Sequence, residues 1–179
     1  MLHYGFIPVI CLILATMTNP GYAQQADLAA NFTQVHERLH TAGQPSEETL
    51  SRLAGYGYDM VVNLATPASE DAIPTEGKLV TANGLTYVNI PVDWRKPTYA
   101  DFELFSGVLN NAGDRKVLVH CQVNMRASMF TFLYQVVHEK ADPESAFRHV
   151  SPIWHPRDQW LEFGQLVLAR HNIDFQFPD

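Results

Sequence analysis

The chain has 179 residues with a formal net charge of −7, and 46% of them are hydrophobic. That length suits one ordinary domain with a proper core. The acidic balance excludes nucleic acid and acidic membrane as general partners, so an anionic substrate has to be drawn in by a local site.

The opening stretch, MLHYGFIPVICLILATMTNPGYAQQ, carries an apolar run from Phe6 to about Met17 that is short for a bilayer-spanning helix. A helix-breaking TNPG follows, then Gly21-Tyr22-Ala23, a small-x-small pattern suited to signal peptidase. We expect a signal peptide over 1–23, cleaved after Ala23, and one domain over 24–179. An uncleaved N-terminal anchor is the alternative, favoured only by the absence of Lys and Arg before the apolar run. In either case the domain is expected to be exported, to a bacterial periplasm, with no stable membrane association once the signal is removed. Cleavage also removes Cys11 and leaves Cys121 as the lone cysteine, so no internal disulfide is expected and the thiol is a candidate reactive group.

FTQVHERLHTAGQP begins strand-like and ends at a Gly-x-Pro stop. Within it, HERLH (His36 to His40) matches the His-Glu-x-x-His zinc pattern, which requires a stable helix carrying both histidines on one face. Gly43-Gln44-Pro45 ends the segment too soon for that helix, so the reading is two solvent-facing histidines and no metal. SEETLSRLAGYG predicts a short helix, with Ser46 as N-cap, acidic residues in the first turn and glycine at the end. DMVVNLA is a buried strand by its apolar, β-branched run. PTEGKLVTANG predicts a helix closing on Asn-Gly, and LTYVNIPV the next strand. TYADFELFSGVLNNAG is a helix with apolar spacing at Phe102, Phe105 and Leu109. KVLVH is a central strand, and RASMFTFLYQVVHEK a helix so apolar that it must be largely buried. DPESAFRHV, with Asp142 as cap and Pro143 at the first helical position, and PRDQWLEFGQLVLARHN complete the chain. The aromatics of SPIWHPRDQW, Trp154 and Trp160, read as core or rim packing, with a ligand platform as the alternative.

Strands alternating with helices predict an α/β fold with a mostly parallel sheet flanked by helices. The functional crevice of such a sheet lies at the carboxyl ends of its strands, and Cys121 stands at that end of KVLVH. The turn from Gln122 through Val123, Asn124 and Met125 leads straight into a helix beginning near Arg126. Backbone N–H groups and the helix N-terminus then converge above the sulfur and form an anion nest. The same dipoles favour thiolate over thiol. The planar fork of Arg126 can meet two oxygens of a tetrahedral oxyanion. A nucleophile and an oxyanion receptor thus share one short segment, the alternative being a buried core cysteine beside an exposed arginine.

VHCQVNMRAS resembles the His-Cys-(x)5-Arg-Ser/Thr loop of cysteine-dependent tyrosine and dual-specificity phosphatases. TAGQPSEETLSRLAGYGYDMVVNLATP, then GLTYVNIPVDWRKPTYADFELFSGVL, then the cysteine loop, resemble a group of small bacterial phosphatase-like domains, some fused to NAD kinase. The likeness implies a dual-specificity phosphatase-like fold and metal-free, cofactor-free hydrolysis of a small phosphate ester or phosphoprotein. It implies Cys121 as nucleophile through a cysteinyl-phosphate, Arg126 binding phosphoryl oxygens, and Asp93 as general acid and then base. It also implies His120 holding the loop backbone and favouring the thiolate, and Ser128 donating to the sulfur. The loop departs from the pattern in three ways: four residues separate Cys121 from Arg126, Ala127 precedes the hydroxyl of Ser128, and glycine is missing. Asn124 is the one loop residue that readily takes left-handed torsions. The four-residue spacing also resembles that of rhodanese sulfurtransferases. A sulfurtransferase using a Cys121 persulfide and a weakly catalytic phosphate- or phosphoprotein-binding module are therefore the alternatives.

Overall fold

In the computed structural model of the chain, residues 28–178 are described; the expected signal peptide and its cleavage point lie outside them. Five strands form one sheet: β1 (Thr33–His36), β2 (Leu39–Ala42), β3 (Met60–Asn63), β4 (Thr86–Asn89) and β5 (Val117–His120). Their order is β1-β2-β5-β3-β4. The β1–β2 pair is antiparallel and the β2–β5, β5–β3 and β3–β4 pairs are parallel. The helices are α1 (Glu47–Arg52), continued by a 3-10 turn (Leu53–Tyr56), α2 (Glu76–Ala82), α3 (Tyr99–Asn110), α4 (Met125–Val137), α5 (Pro143–Phe147) and α6 (Asp158–Arg170). This is the expected α/β architecture, and no helix among the described residues is long and apolar enough to cross a membrane.

The termini form where the local chemistry asks for them. Ser46 accepts a hydrogen bond from the Thr49 amide and Asp142 one from Ser145, with Pro143 in the first turn. Thr98 and Asp101 form a reciprocal capping box at the start of α3. Gly57 closes the 3-10 turn at φ 77°.

The central strands are buried on both faces, which is why they read as continuous apolar runs. On one face, Met60, Val62, Val117 and Val119 pack with Phe102, Phe105, Phe130 and Trp160 from α3, α4 and α6. On the other, Val61 and Leu118 pack with Leu50, Leu53, Val80 and Leu85 from the α1 and α2 side. Helix α4 is enclosed, with every residue from Arg126 to Val137 buried, so its apolar character runs all the way round.

HERLH corrects one expectation. It forms a hairpin, with His36 ending β1, Glu37 and Arg38 in the turn and His40 inside β2. The chain reversal separates the two histidines, so the zinc-site helix does not exist. His36 is half-buried and 3.3 Å from Glu139. His40 is 1% exposed, because β2 is an inner strand between β1 and β5. Its Nδ1 is 2.6 Å from the Tyr58 hydroxyl. Burial, helped by the charges of Lys116 and His36, pushes its pKa down from 6.5 to about 4.

Candidate active site

Strand β5 is the middle strand of the sheet, and Cys121 follows its last residue at the carboxyl end. The residue is 1% exposed and forms part of the floor of a cavity of about 460 Å³. Gln122, Val123, Met125 and Arg126 continue that floor. Asp93, Trp94 and Arg95, from the loop after β4, supply one wall, and Ser69 and Glu70, from the loop after β3, supply another. The carboxyl ends of three parallel strands thus meet at one crevice, as the topology requires.

The short loop turns without glycine because Asn124 takes the left-handed conformation, with φ 72° and ψ −1°. Its side chain then closes the turn from behind. Nδ2 donates to the Asn31 carbonyl at 2.6 Å and to Thr41 Oγ1 at 3.0 Å. Asn31 reciprocates, its Nδ2 donating to the Val123 carbonyl at 3.0 Å. The Gln44 amide donates to the Gln122 carbonyl at 3.0 Å. Loop carbonyls therefore point back into the protein. The amides of Gln122, Val123, Met125 and Arg126 have no backbone acceptor among the described residues. Helix α4 starts at Met125, so this N-terminus supplies both free N–H groups and the positive end of the helix dipole. These are the groups from which the sequence predicts an anion nest.

Arg126 is 5% exposed and spans the crevice. One guanidinium nitrogen donates to the carbonyls of Leu64 and Val92, both at 3.3 Å, and the other to Ser69 Oγ at 3.4 Å. Val92 immediately precedes Asp93, so the arginine ties the cysteine loop to the segment carrying the carboxylate. Asp93 is exposed at the cavity wall and accepts from the Arg95 amide at 2.9 Å, which fixes its turn. Trp94 and Val123, 38% and 37% exposed, give the cavity an apolar rim.

The structure also places the tryptophan segment. Trp160 Nε1 and Gln159 Nε2 donate to the Trp94 carbonyl at 2.9 and 3.2 Å. Trp94 packs on Trp160 and Trp154 with ring centroids 5.0 and 5.6 Å apart. These aromatics therefore buttress the Asp93 loop from the α6 side, and Trp160 is itself core.

Two supporting roles differ from expectation. Ser128 donates its proton to the Met125 carbonyl at 3.1 Å and accepts from Trp154 Nε1 at 3.2 Å, so none is left for the sulfur. His120 reaches neither the loop backbone nor the sulfur. Its Nε2 is 2.6 Å from Glu76 Oε1, on the other side of the sheet end. Sequence reading missed Glu76, Ser69 and Asn31. Glu76 looked like an ordinary first-turn acid, and only its burial at 2% exposure sets it apart.

A mostly parallel sheet with a cysteine and an arginine on one strand-to-helix loop, and an aspartate lining the same cavity, defines a cysteine-dependent phosphatase architecture. The chain belongs to the family described as DSP-PTPase phosphatase fused to NAD+ kinase, whose model matches residues 15–154. A DUF442 protein from Shewanella putrefaciens CN-32 is 34% identical. It aligns over 83% of this chain and 97% of its own, with a TM-score of 0.76. Kinase-associated phosphatase, solved with its catalytic-site cysteine replaced by serine, shares the fold at 14% identity and TM-score 0.65, covering 76% of this chain and 89% of its own. PTPMT1 in complex with PI(5)P shares it at 17% identity and TM-score 0.62, covering 78% and 97%. No curated protein sequence matches the chain.

Proposed function

We propose that the chain is an exported hydrolase of phosphate monoesters that works through a cysteinyl-phosphate on Cys121, in the periplasm after cleavage behind Ala23. The observation that carries the proposal is the meeting of Cys121, Arg126 and Asp93 around one cavity. Its volume, about 460 Å³, suits a small ester or a single phosphorylated side chain.

In the first step the Cys121 thiolate attacks phosphorus, the S–P bond forms, and the bond from phosphorus to the leaving oxygen breaks. Asp93, protonated, gives its proton to that oxygen. The free amides of Gln122, Val123, Met125 and Arg126 and the available N–H groups of the Arg126 guanidinium hold the equatorial oxygens. In the second step Asp93 takes a proton from water, the water oxygen attacks phosphorus, and the S–P bond breaks. Orthophosphate leaves and the thiolate is restored. The residues present supply nucleophile, oxyanion receptor and proton carrier, and no step is routed through a metal.

The four-residue spacing between Cys121 and Arg126 favours a second reading, sulfur transfer through a Cys121 persulfide. Asp93 separates the two, since phosphate ester chemistry needs its proton and sulfur transfer does not. Turnover of p-nitrophenyl phosphate and of thiosulfate with cyanide is to be measured for wild type, Cys121→Ser and Asp93→Asn. Phosphate ester hydrolysis lost in Cys121→Ser and strongly reduced in Asp93→Asn is the expected result. Hydrolysis surviving Cys121→Ser would overturn the reading, thiosulfate turnover indifferent to Asp93→Asn would replace it, and vanadate binding without turnover would reduce the site to a binding module.

A further inference from the structure

Besides Cys121, the cavity is lined by Asp93, Arg126, Arg95 and Glu70 as titratable side chains, and the phosphoryl chemistry employs only the first two. Arg95 and Glu70 stand on different walls, one in the loop after β4 and the other in the loop after β3. Arg95 is exposed, and its guanidinium pairs with no carboxylate and donates to no acceptor among the described residues. Cations elsewhere are taken up by the fold. Arg38 pairs with Asp114 and Arg52 with Glu48, while Arg115 and Arg126 donate to carbonyl groups.

The backbone under Arg95 is held in place. Its amide donates to Asp93 Oδ1 at 2.9 Å, and the Lys96 amide donates to the Asp93 carbonyl at 3.2 Å. The Trp94 carbonyl between them accepts from Trp160 Nε1 and Gln159 Nε2. The turn that carries the proton donor therefore also presents Arg95, and little backbone freedom is lost when a ligand meets it. Lys96, the next residue, is exposed and likewise unpaired among the described residues. This loop thus concentrates two free positive charges in a chain of net charge −7, while Glu70 makes the wall after β3 negative. The phosphoryl group occupies the floor, where Arg126 and the loop amides are, so what lies along the walls is the alcohol part of the ester.

We propose that Arg95 is a specificity-determining residue, its guanidinium binding a second anionic group, a carboxylate or a phosphate, carried on the alcohol part of the substrate. This rests on the cavity taking a phosphoryl group at Cys121. The planar fork of a guanidinium meets either anion through two parallel N–H···O bonds. Glu70 repels the same group and so directs it to the Asp93 side. Trp94 and Val123, the apolar rim, give a ring between the two anions a surface to lie on.

The test measures kcat/KM for phenyl phosphate, 4-carboxyphenyl phosphate and 4-phosphonophenyl phosphate in wild type, Arg95→Ala, Arg95→Lys and Glu70→Gln. Arg95→Ala keeps the backbone amide on which Asp93 rests and removes a side chain with no internal hydrogen bond. Taking each doubly anionic ester relative to phenyl phosphate, and comparing that ratio between proteins, cancels differences in leaving-group acidity. The ratio is expected to fall about three- to ten-fold in Arg95→Ala, to be kept in part by Arg95→Lys, and to hold or grow in Glu70→Gln. The ester that loses more tells whether the subsite prefers a carboxylate or a phosphate-like anion. Equal ratios in wild type and Arg95→Ala overturn the subsite and leave the hydrolase standing, and an equal fall in Glu70→Gln overturns the assignment to Arg95. Should no ester be hydrolysed, phosphonates decide through protection of Cys121 from iodoacetamide. In wild type, 4-carboxyphenylphosphonate is expected to protect at lower concentration than phenylphosphonate, an advantage lost in Arg95→Ala. Equal protection by the two, or none, overturns the subsite; unequal protection without turnover keeps it and removes the hydrolase instead.

Discussion

The glycine-free loop makes a quantitative prediction about Asn124. This residue has φ 72°, is fully buried, and ties the loop to Asn31 and Thr41 through its side-chain amide. Replacing it with alanine or glycine removes both hydrogen bonds. Thr41 is buried while Asn31 is exposed and can turn to water, so the shared loss is about 1–2 kcal/mol. Alanine adds a left-handed torsion that costs about 1–2 kcal/mol. Glycine avoids that strain but gives the unfolded chain extra freedom worth about 0.4–1 kcal/mol. Asn124→Ala should therefore lose about 2–4 kcal/mol in all and Asn124→Gly about 1–3, with glycine the better by roughly 1 kcal/mol. Urea unfolding of both variants at one pH measures the difference. Turnover of p-nitrophenyl phosphate should follow it, since glycine leaves the loop amides aimed at the nest and alanine turns them away. Alanine equal to or more stable than glycine would refute the claim that the torsion is what makes this residue necessary.

Two further effects follow from the same geometry. His40, with its pKa pushed from 6.5 to about 4, is neutral when folded, whereas the unfolded chain takes up a proton below about pH 6.5. Its contribution is thus complete above 6.5 and lost as pH falls toward 4, a drop of about 3 kcal/mol. Urea midpoints for His40→Phe should fall less steeply over that window than those of wild type, and parallel curves would sink the assignment. Trp160→Phe removes the 2.9 Å bond from Nε1 to the Trp94 carbonyl and loosens the loop bearing Asp93. Hydrolysis of phenyl phosphate, whose leaving group needs the proton more, should then fall by a larger factor than that of p-nitrophenyl phosphate; equal factors would mean the tryptophan supports packing alone.

How far the sequence could be read depended on whether a role was local or distant. Asp142 and Pro143, Ser46, and the apolar run of KVLVH act through neighbours in sequence, so their elements were legible in the sequence. The position of Cys121 was legible for the same reason, since a strand followed directly by a helix fixes which end of the sheet it occupies. His40 was not, because its burial comes from β5 pairing on one side and β1 on the other, and one of those partners lies far along the chain. The departures in the cysteine loop became interpretable only with distant partners in view. Asn31 is 92 residues from the Val123 carbonyl it holds, and Glu76 is 44 residues from His120. A loop of this length without glycine keeps its amides pointed outward because its left-handed residue has a side chain that the rest of the fold can grip. Asn124 is thus both the torsion that glycine would provide and the anchor that glycine could not, which ties the shape of the cradle to the N-terminal segment and β2 rather than to the loop's own composition.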